Sequence, residues 1–396
     1  MANLFDYVSW RGDLDFDLIP FNPVDNIVFS QLAYLPMDDI VPAPDKRAIV
    51  SVSALAKLYA AKRGGRPQAS KDVTVAMASS VLAAIGMAPR YENCGLFGYV
   101  NNTDHGAEKQ FSAFCAVTGR KRSARKLLIV FRGTDTSIVG WKEDLNMSLL
   151  YSVPSQKEAV SYLEKVAWRF PYPIIVAGHS KGGNLAIYAS AFCNQAIKRR
   201  ITAIYSNDAP GFHREIIHNG EYREICGRIQ AFVPQSSFVG MLLDHAVTPR
   251  VVKSNATGLL QHDMRSWEVR RDDLADGGEL TAQSRFIHSI VTEWIGKIGA
   301  ERRYQFIEAL YKILLSTNAT SFADIGSDWP HSAAGIIGGL KTVDGRTKKL
   351  MGEIVGELFR TASKNIIRQR KKDGGTRDAP TDRISPAETA PPPGTR

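Results

Sequence analysis

Tyr172-Pro-Ile-Ile-Val-Ala-Gly-His-Ser-Lys-Gly-Gly-Asn-Leu-Ala-Ile-Tyr188 has the pattern of a buried strand, a sharp turn and a helix. Ile174 to Ala177 form a short unbroken apolar run, the pattern of a strand buried on both faces. Gly178, Ser180 and Gly182 follow in the spacing G-x-S-x-G, which lifts a serine to the tip of a sharp strand-to-helix turn. Beyond the turn, Leu185, Tyr188, Ala189, Phe192 and Ala196 recur at helical spacing. The helix N-terminus then lies beneath Ser180, where free N–H groups favour negative charge. Ser180 is the candidate nucleophile. The side chains of His179 and Lys181 read as groove-lining or exposed groups. Lys181 enters the chemistry through its backbone N–H, which follows the nucleophile and can donate to an oxyanion.

Outward from this stretch, strands and helices alternate. Leu127–Phe131 reads as a strand running into Arg132-Gly-Thr-Asp-Thr136, and Ser155–Phe170 as a helix. Ile201–Tyr205 and Arg228–Val233 are further strands, ending in Asn207-Asp-Ala-Pro-Gly211 and Pro234-Gln-Ser-Ser237. This alternation predicts an α/β fold, a mostly parallel sheet with helices on both faces. Gln110–Thr118 is strand-like, and Val247–Val252 with Thr257–Gln261 reads as a further strand pair. Helical patterns cover residues 45–63, 71–87 and 281–316, and Asn26–Tyr34 reads as a helix capped by Asp25.

Composition narrows the function classes. The hydrophobic content of 44% is that of an ordinary globular chain, and no apolar run approaches the length of a bilayer span. The 4 cysteines are widely separated, without metal-ligand or redox spacing. With no signal-peptide pattern at the N-terminus, the expectation is a reducing, cytoplasmic setting. The net charge is +10, but residues 341–396 alone carry thirteen Lys/Arg against seven Asp/Glu. More than half of the excess is therefore local, which argues against nucleic acid as a partner of the whole chain.

The division expected is a hydrolase domain at 1–280, a helical C-terminal region at 281–372 and a disordered tail at 373–396. Leu350, Ile354 and Leu358 form an apolar stripe beside Lys348, Lys349, Arg360 and Lys364. Such a helix either packs its stripe on the domain or lies on an anionic membrane surface. The glycines of Ser332–Leu340 follow no strand and are read as a loop.

A serine needs a base, and the base needs an orienting group. In α/β-hydrolases these come in the order serine, acid, histidine, on loops after successive strands. Asp208 stands at the C-terminal end of the strand after the Ser180 helix, with Asp244 as the alternative acid. Of 8 histidines, His262 follows the last strand-like segment, and His245 is second. His105 precedes the nucleophile and does not fit. Thr134, at the end of the 127–131 strand, is the second oxyanion donor, and Asp144 either fixes it or is a helix-terminus carboxylate.

Val130-Phe-Arg-Gly-Thr…Gly140-Trp-Lys-Glu-Asp-Leu145 resembles the Phe-Arg-Gly-Ser/Thr…Asn-Trp…Asp-Leu segment of class 3 (fungal-type) lipases. Val176-Ala-Gly-His-Ser-Lys-Gly-Gly resembles their nucleophile turn, with Lys181 where they carry leucine. From about Asn3 to Val269 the chain is similar to the bacterial lipase-like proteins of the Mbeg1-like group. Asn3-Leu-Phe-Asp-Tyr-Val-Ser-Trp10 and His262-Asp…Ser266-Trp-Glu-Val269 are typical of that group. The resemblance implies Ser180 as nucleophile, Thr134 as oxyanion donor and His262 as base. It departs at Val233-Pro-Gln-Ser-Ser-Phe238, where fungal-type lipases carry the acid and this chain has no carboxylate. Asp208 lies instead in a setting that resembles the acid position of pancreatic-type lipases.

The expectation is a carboxylic-ester hydrolase of lipase or esterase type, acting on an acyl lipid or smaller ester without metal or organic cofactor. A non-catalytic interaction protein and a serine peptidase or thioesterase are the rivals.

Overall fold

Eight strands form one sheet in sequence order: β1 (Val50–Ser51), β2 (Gly95–Asp104), β3 (Lys109–Thr118), β4 (Lys126–Phe131), β5 (Ile174–His179), β6 (Ile201–Asn207), β7 (Ile229–Pro234) and β8 (Arg250–Val252). β1 to β4 pair antiparallel, and β4 to β8 run parallel. The structure is a computed structural model. It describes residues 2–62, 72–104, 106–135, 138–147 and 152–315, and then 344–354, 356–357 and 360–361.

The apolar runs of the central strands explain the layering. Along β4, Leu128 and Val130 face one core while Leu127, Ile129 and Phe131 face the other. β5 divides likewise, Ile175 and Ala177 against Ile174 and Val176. Alternate side chains of a strand point to opposite faces, so a continuous apolar run requires cover on both. α1 (Leu4–Arg11), α2 (Pro23–Leu32), α3 (Val52–Lys62) and α4 (Val73–Ile85) contribute to the first core. α5 (Ile138–Asn146) follows β4; α6 (Pro154–Ala167) and α7 (Lys181–Phe192) line the second core. The short helices α8 (Gln195–Lys198), α9 (Arg214–Ile217) and α10 (Gly220–Ile225) lie between β6 and β7 or before them. This is the α/β-hydrolase architecture, with a longer antiparallel edge than the strand alternation alone implied.

Three local readings are corrected. Asn22, not Asp25, caps α2, because Pro23 takes the first helical position. Asp25 closes the capping box and is buried, gripped by Arg90 Nε at 2.7 Å and Nη2 at 2.6 Å, with Tyr91 Oη donating at 2.7 Å. β2 is a strand that the sequence reading passed over. Gly258–His262 is a 3₁₀ turn rather than a strand, with Leu259 and Leu260 each 72% exposed.

α11 (Ala282–Lys297) and α12 (Ala300–Leu315) follow, Trp294 meeting Phe306 edge-on. Trp294 Nε1 donates to the Ile354 carbonyl at 3.1 Å, and Ile354 is buried, so this residue of the C-terminal stripe packs inward, while Leu350 is half-buried. His105, the 332–340 loop, the 373–396 tail, Leu358 and the basic residues after Arg360 lie outside the described residues. Among the described residues no helix is long and apolar enough to cross a membrane.

Candidate active site

The register of the parallel strands brings the candidate residues to one edge. Phe131 of β4 pairs with Gly178 of β5, and His179 of β5 pairs with Asn207 of β6. The segments that leave these strands therefore emerge side by side. They carry Thr134, Ser180 and Asp208, at the C-terminal ends where α/β sheets bind ligands.

Ser180 caps α7 with φ 55° and ψ −132°, a conformation that non-glycine residues adopt at a cost of about 1–3 kcal/mol. Neighbouring backbone holds it there. Ser180 N donates to the Asn207 carbonyl at 2.9 Å, and Asn207 Nδ2 donates to the Gly178 carbonyl at 2.9 Å. Asn207 is itself buried, paired with Asn26 of α2 at 2.8 Å and 3.0 Å. Gly178 and Gly182 are needed for close approach: a Cβ on the first would strike the Gly182 backbone, and one on the second the Phe131 carbonyl.

His262 is brought to the acid. Its Nδ1 lies 2.6 Å from Asp208 Oδ2, to which it donates. The Asp208 side chain is 1% exposed and the His262 side chain 32%, so the carboxylate is sealed beneath an imidazole open to solvent. Asp208 Oδ1 accepts from Ser237 Oγ at 2.5 Å and Gly240 N at 3.1 Å. The segment that lacks the fungal-type acid thus supplies, through Ser237, a hydroxyl that holds Asp208, and Gly240 just beyond it supplies an amide. Asp244 is not brought to His262. It is half-exposed and accepts from Arg214 Nε at 3.0 Å. His245 makes no hydrogen bond to Asp208 either, and burial pushes its pKa down.

Thr134 Oγ1 donates to Asp144 Oδ2 at 2.6 Å, so Asp144 ties down the loop after β4. Burial raises the Asp144 pKa to about 6 against the lowering effect of Lys181, and its Oδ1 is buried with no partner among the described residues. A Cβ on Gly133 would lie 3.0 Å from Ser180 Cβ, which measures how closely this loop runs over the serine. Lys181 opens α7, where a first-turn N–H has no acceptor within the helix.

The side chains beside the serine overturn the expectation that they line the groove or face solvent. Lys181 is 1% exposed, and its Nζ donates to Glu143 Oε2 at 2.9 Å and to the Gln110 carbonyl at 2.8 Å. Glu143 also accepts from Gln110 N at 3.0 Å and Ser155 N at 2.9 Å. A buried ammonium is tolerable only with such pairing. His179 is buried as well, between Tyr34 and His262. Ser237, Asn207, Tyr34 and Glu143 carry no sequence signal, because each acts through partners distant in the chain. Among the described residues, no cluster of His, Cys, Asp and Glu could hold a metal ion.

A comparison with curated proteins finds no match. Among solved structures, that of the M37 lipase aligns over 56% of this chain and 70% of its own, at 14% identity and a TM-score of 0.33. The Mbeg1-like family profile matches residues 85–312, a span that runs from the end of α4 into α12 and includes Thr134, Ser180, Asp208 and His262. The chain belongs to the Mbeg1-like family.

Proposed function

We propose that the protein is a serine hydrolase that cleaves carboxylic esters through an acyl-serine intermediate. The observation that carries this reading is the 2.6 Å bond from His262 Nδ1 to Asp208 Oδ2, beside a serine on a strained strand-to-helix turn. In this reading Ser180 Oγ attacks the ester carbonyl carbon and His262 Nε2 takes its proton. Asp208 holds the imidazole tautomer and stabilises the imidazolium. The oxyanion is met by the N–H groups of Thr134 and Lys181. Collapse expels the alcohol, which takes the proton from His262; water then attacks the acyl-serine by the reverse sequence. The Lys181 ammonium is committed to Glu143, so its part is played by its backbone.

An apolar acyl group fits the exposed apolar side chains that neighbour candidate residues in the chain. Exposed Trp141 and Leu145 lie on α5, Phe238 follows Ser237, and Leu259 and Leu260 precede His262. A contact of the basic residues of 341–372 with anionic lipid is a further part of the proposal, tested by salt-dependent vesicle binding. A panel of p-nitrophenyl esters, acyl-thioesters and peptides tests the reaction class. Ser180-dependent turnover of esters above the others is expected; preference for thioesters or peptides would reassign it.

A further inference from the structure

We propose that Tyr34 and His179 are positioning residues: a buried hydrogen-bond chain runs from Tyr34 through His179 to the backbone of the base, and its Tyr34 end packs against the oxyanion loop. The inference rests on the serine-hydrolase reading and extends it to residues that do not touch the reacting atoms.

The chain has one consistent assignment. His179 Nε2 lies 2.9 Å from the His262 carbonyl, and a carbonyl can only accept, so Nε2 carries the proton. Burial holds the His179 pKa well below the usual histidine value, so the ring is neutral and Nδ1 is an acceptor. Tyr34 Oη, 2.9 Å away, therefore donates to Nδ1. A Cβ on Gly133 would lie 2.2 Å from the same oxygen, so the hydroxyl packs directly against the loop that carries Thr134. Tyr34 and His179 are each 6% exposed, so no water competes freely for these groups.

The geometry gives the chain a task. The His179 ring stands 4.4 Å from the His262 ring, centroid to centroid, at 38°. Asp208 fixes His262 through its side chain, while His179 fixes the same residue through its backbone. If His179 took the other tautomer, its Nε2 lone pair would face the His262 carbonyl, two acceptors in opposition. Tyr34 prevents this by donating to Nδ1. One hydroxyl thereby sets the tautomer of His179 and the seat of His262, while it packs against Gly133.

The test uses the full chain with Tyr34→Phe, His179→Leu and His179→Gln; the glutamine amide can place an N–H near the position of Nε2. Imidazole ¹⁵N spectra read the tautomer, and kcat and KM are measured on a p-nitrophenyl ester. In the wild type His179 should be the neutral Nε2–H form. Tyr34→Phe and His179→Leu should lower kcat about 10- to 100-fold with KM nearly unchanged, as slight misplacement of catalytic groups does. His179→Gln should recover most of that loss. Folded variants with wild-type kcat would overturn the proposal, as would an Nδ1–H wild-type tautomer. So would a kcat loss that follows only the folded fraction and is not restored by glutamine. A wild-type protein with the expected tautomer but no Ser180-dependent turnover would remove the hydrolase reading and the positioning role with it.

Discussion

His262 and Asp208, 54 positions apart in the chain, meet at 2.6 Å between Nδ1 and Oδ2. Ser237 and Gly240 occupy the other carboxylate oxygen, which leaves Oδ2 for the imidazole. Asp208→Asn should therefore lower kcat by about 10⁴-fold, the scale of losing the correct tautomer in such a triad. Asp244→Asn, which only breaks a surface pair with Arg214, should leave kcat within about twofold. The reverse ranking in steady-state kinetics would move the acid to Asp244.

The Lys181–Glu143 pair predicts a stability effect separable from catalysis. Lys181→Met leaves Glu143 buried without its cation and should cost about 3–5 kcal/mol in denaturant unfolding. Lys181→Met combined with Glu143→Gln should cost less than the sum of the two single changes by at least about 1 kcal/mol. Additive losses would show that the two side chains are not coupled.

Asp144 predicts a pH dependence with a definite sign. Its folded pKa of about 6 lies above the ordinary carboxylate value of about 3.9. The native state therefore binds this proton more tightly, and the resulting stability is full at low pH and lost as pH rises through about 6. Asp144→Asn removes that loss. Relative to wild type, the variant should gain up to about 3 kcal/mol between pH 4 and pH 7 in chemical unfolding. A difference that stays flat across this window would contradict a carboxyl whose pKa is raised by burial.

His179 acts in the opposite direction. Its buried neutral ring must give up a proton that the unfolded chain keeps below about pH 6.5. Wild-type stability should then fall as pH drops from about 6.5 to 5, by at most about 1.4 kcal/mol per unit from this residue. His179→Gln should flatten that slope. An unchanged slope would mean that the ring is protonated in the native state.

The parts legible in the sequence were those set by short-range pattern. The unbroken apolar run before Gly178 required a strand covered on both faces, and Gly178 and Gly182 bracketed a serine where a Cβ would meet backbone. Chain order placed Asp208 and His262 on successive loops of one sheet edge. What was missed depends on distant partners. Lys181 reads as groove-lining or exposed because its counter-charge, Glu143, lies 38 positions away. β2 was passed over because Gly98, at φ 69°, interrupts its register and its last residues are exposed and polar. Leu259 and Leu260 suggested a strand, yet both face outward from a 3₁₀ turn that delivers His262 to Asp208.

The central claim is that Ser180 is a nucleophile activated by His262. Fluorophosphonate labelling of the folded protein, with the modified residue located by mass spectrometry, tests it most directly. A single adduct on Ser180 is expected in the wild type, none in Ser180→Ala, and strongly slowed labelling in His262→Ala. An unlabelled wild type, or equal labelling of Ser180→Ala, would contradict it.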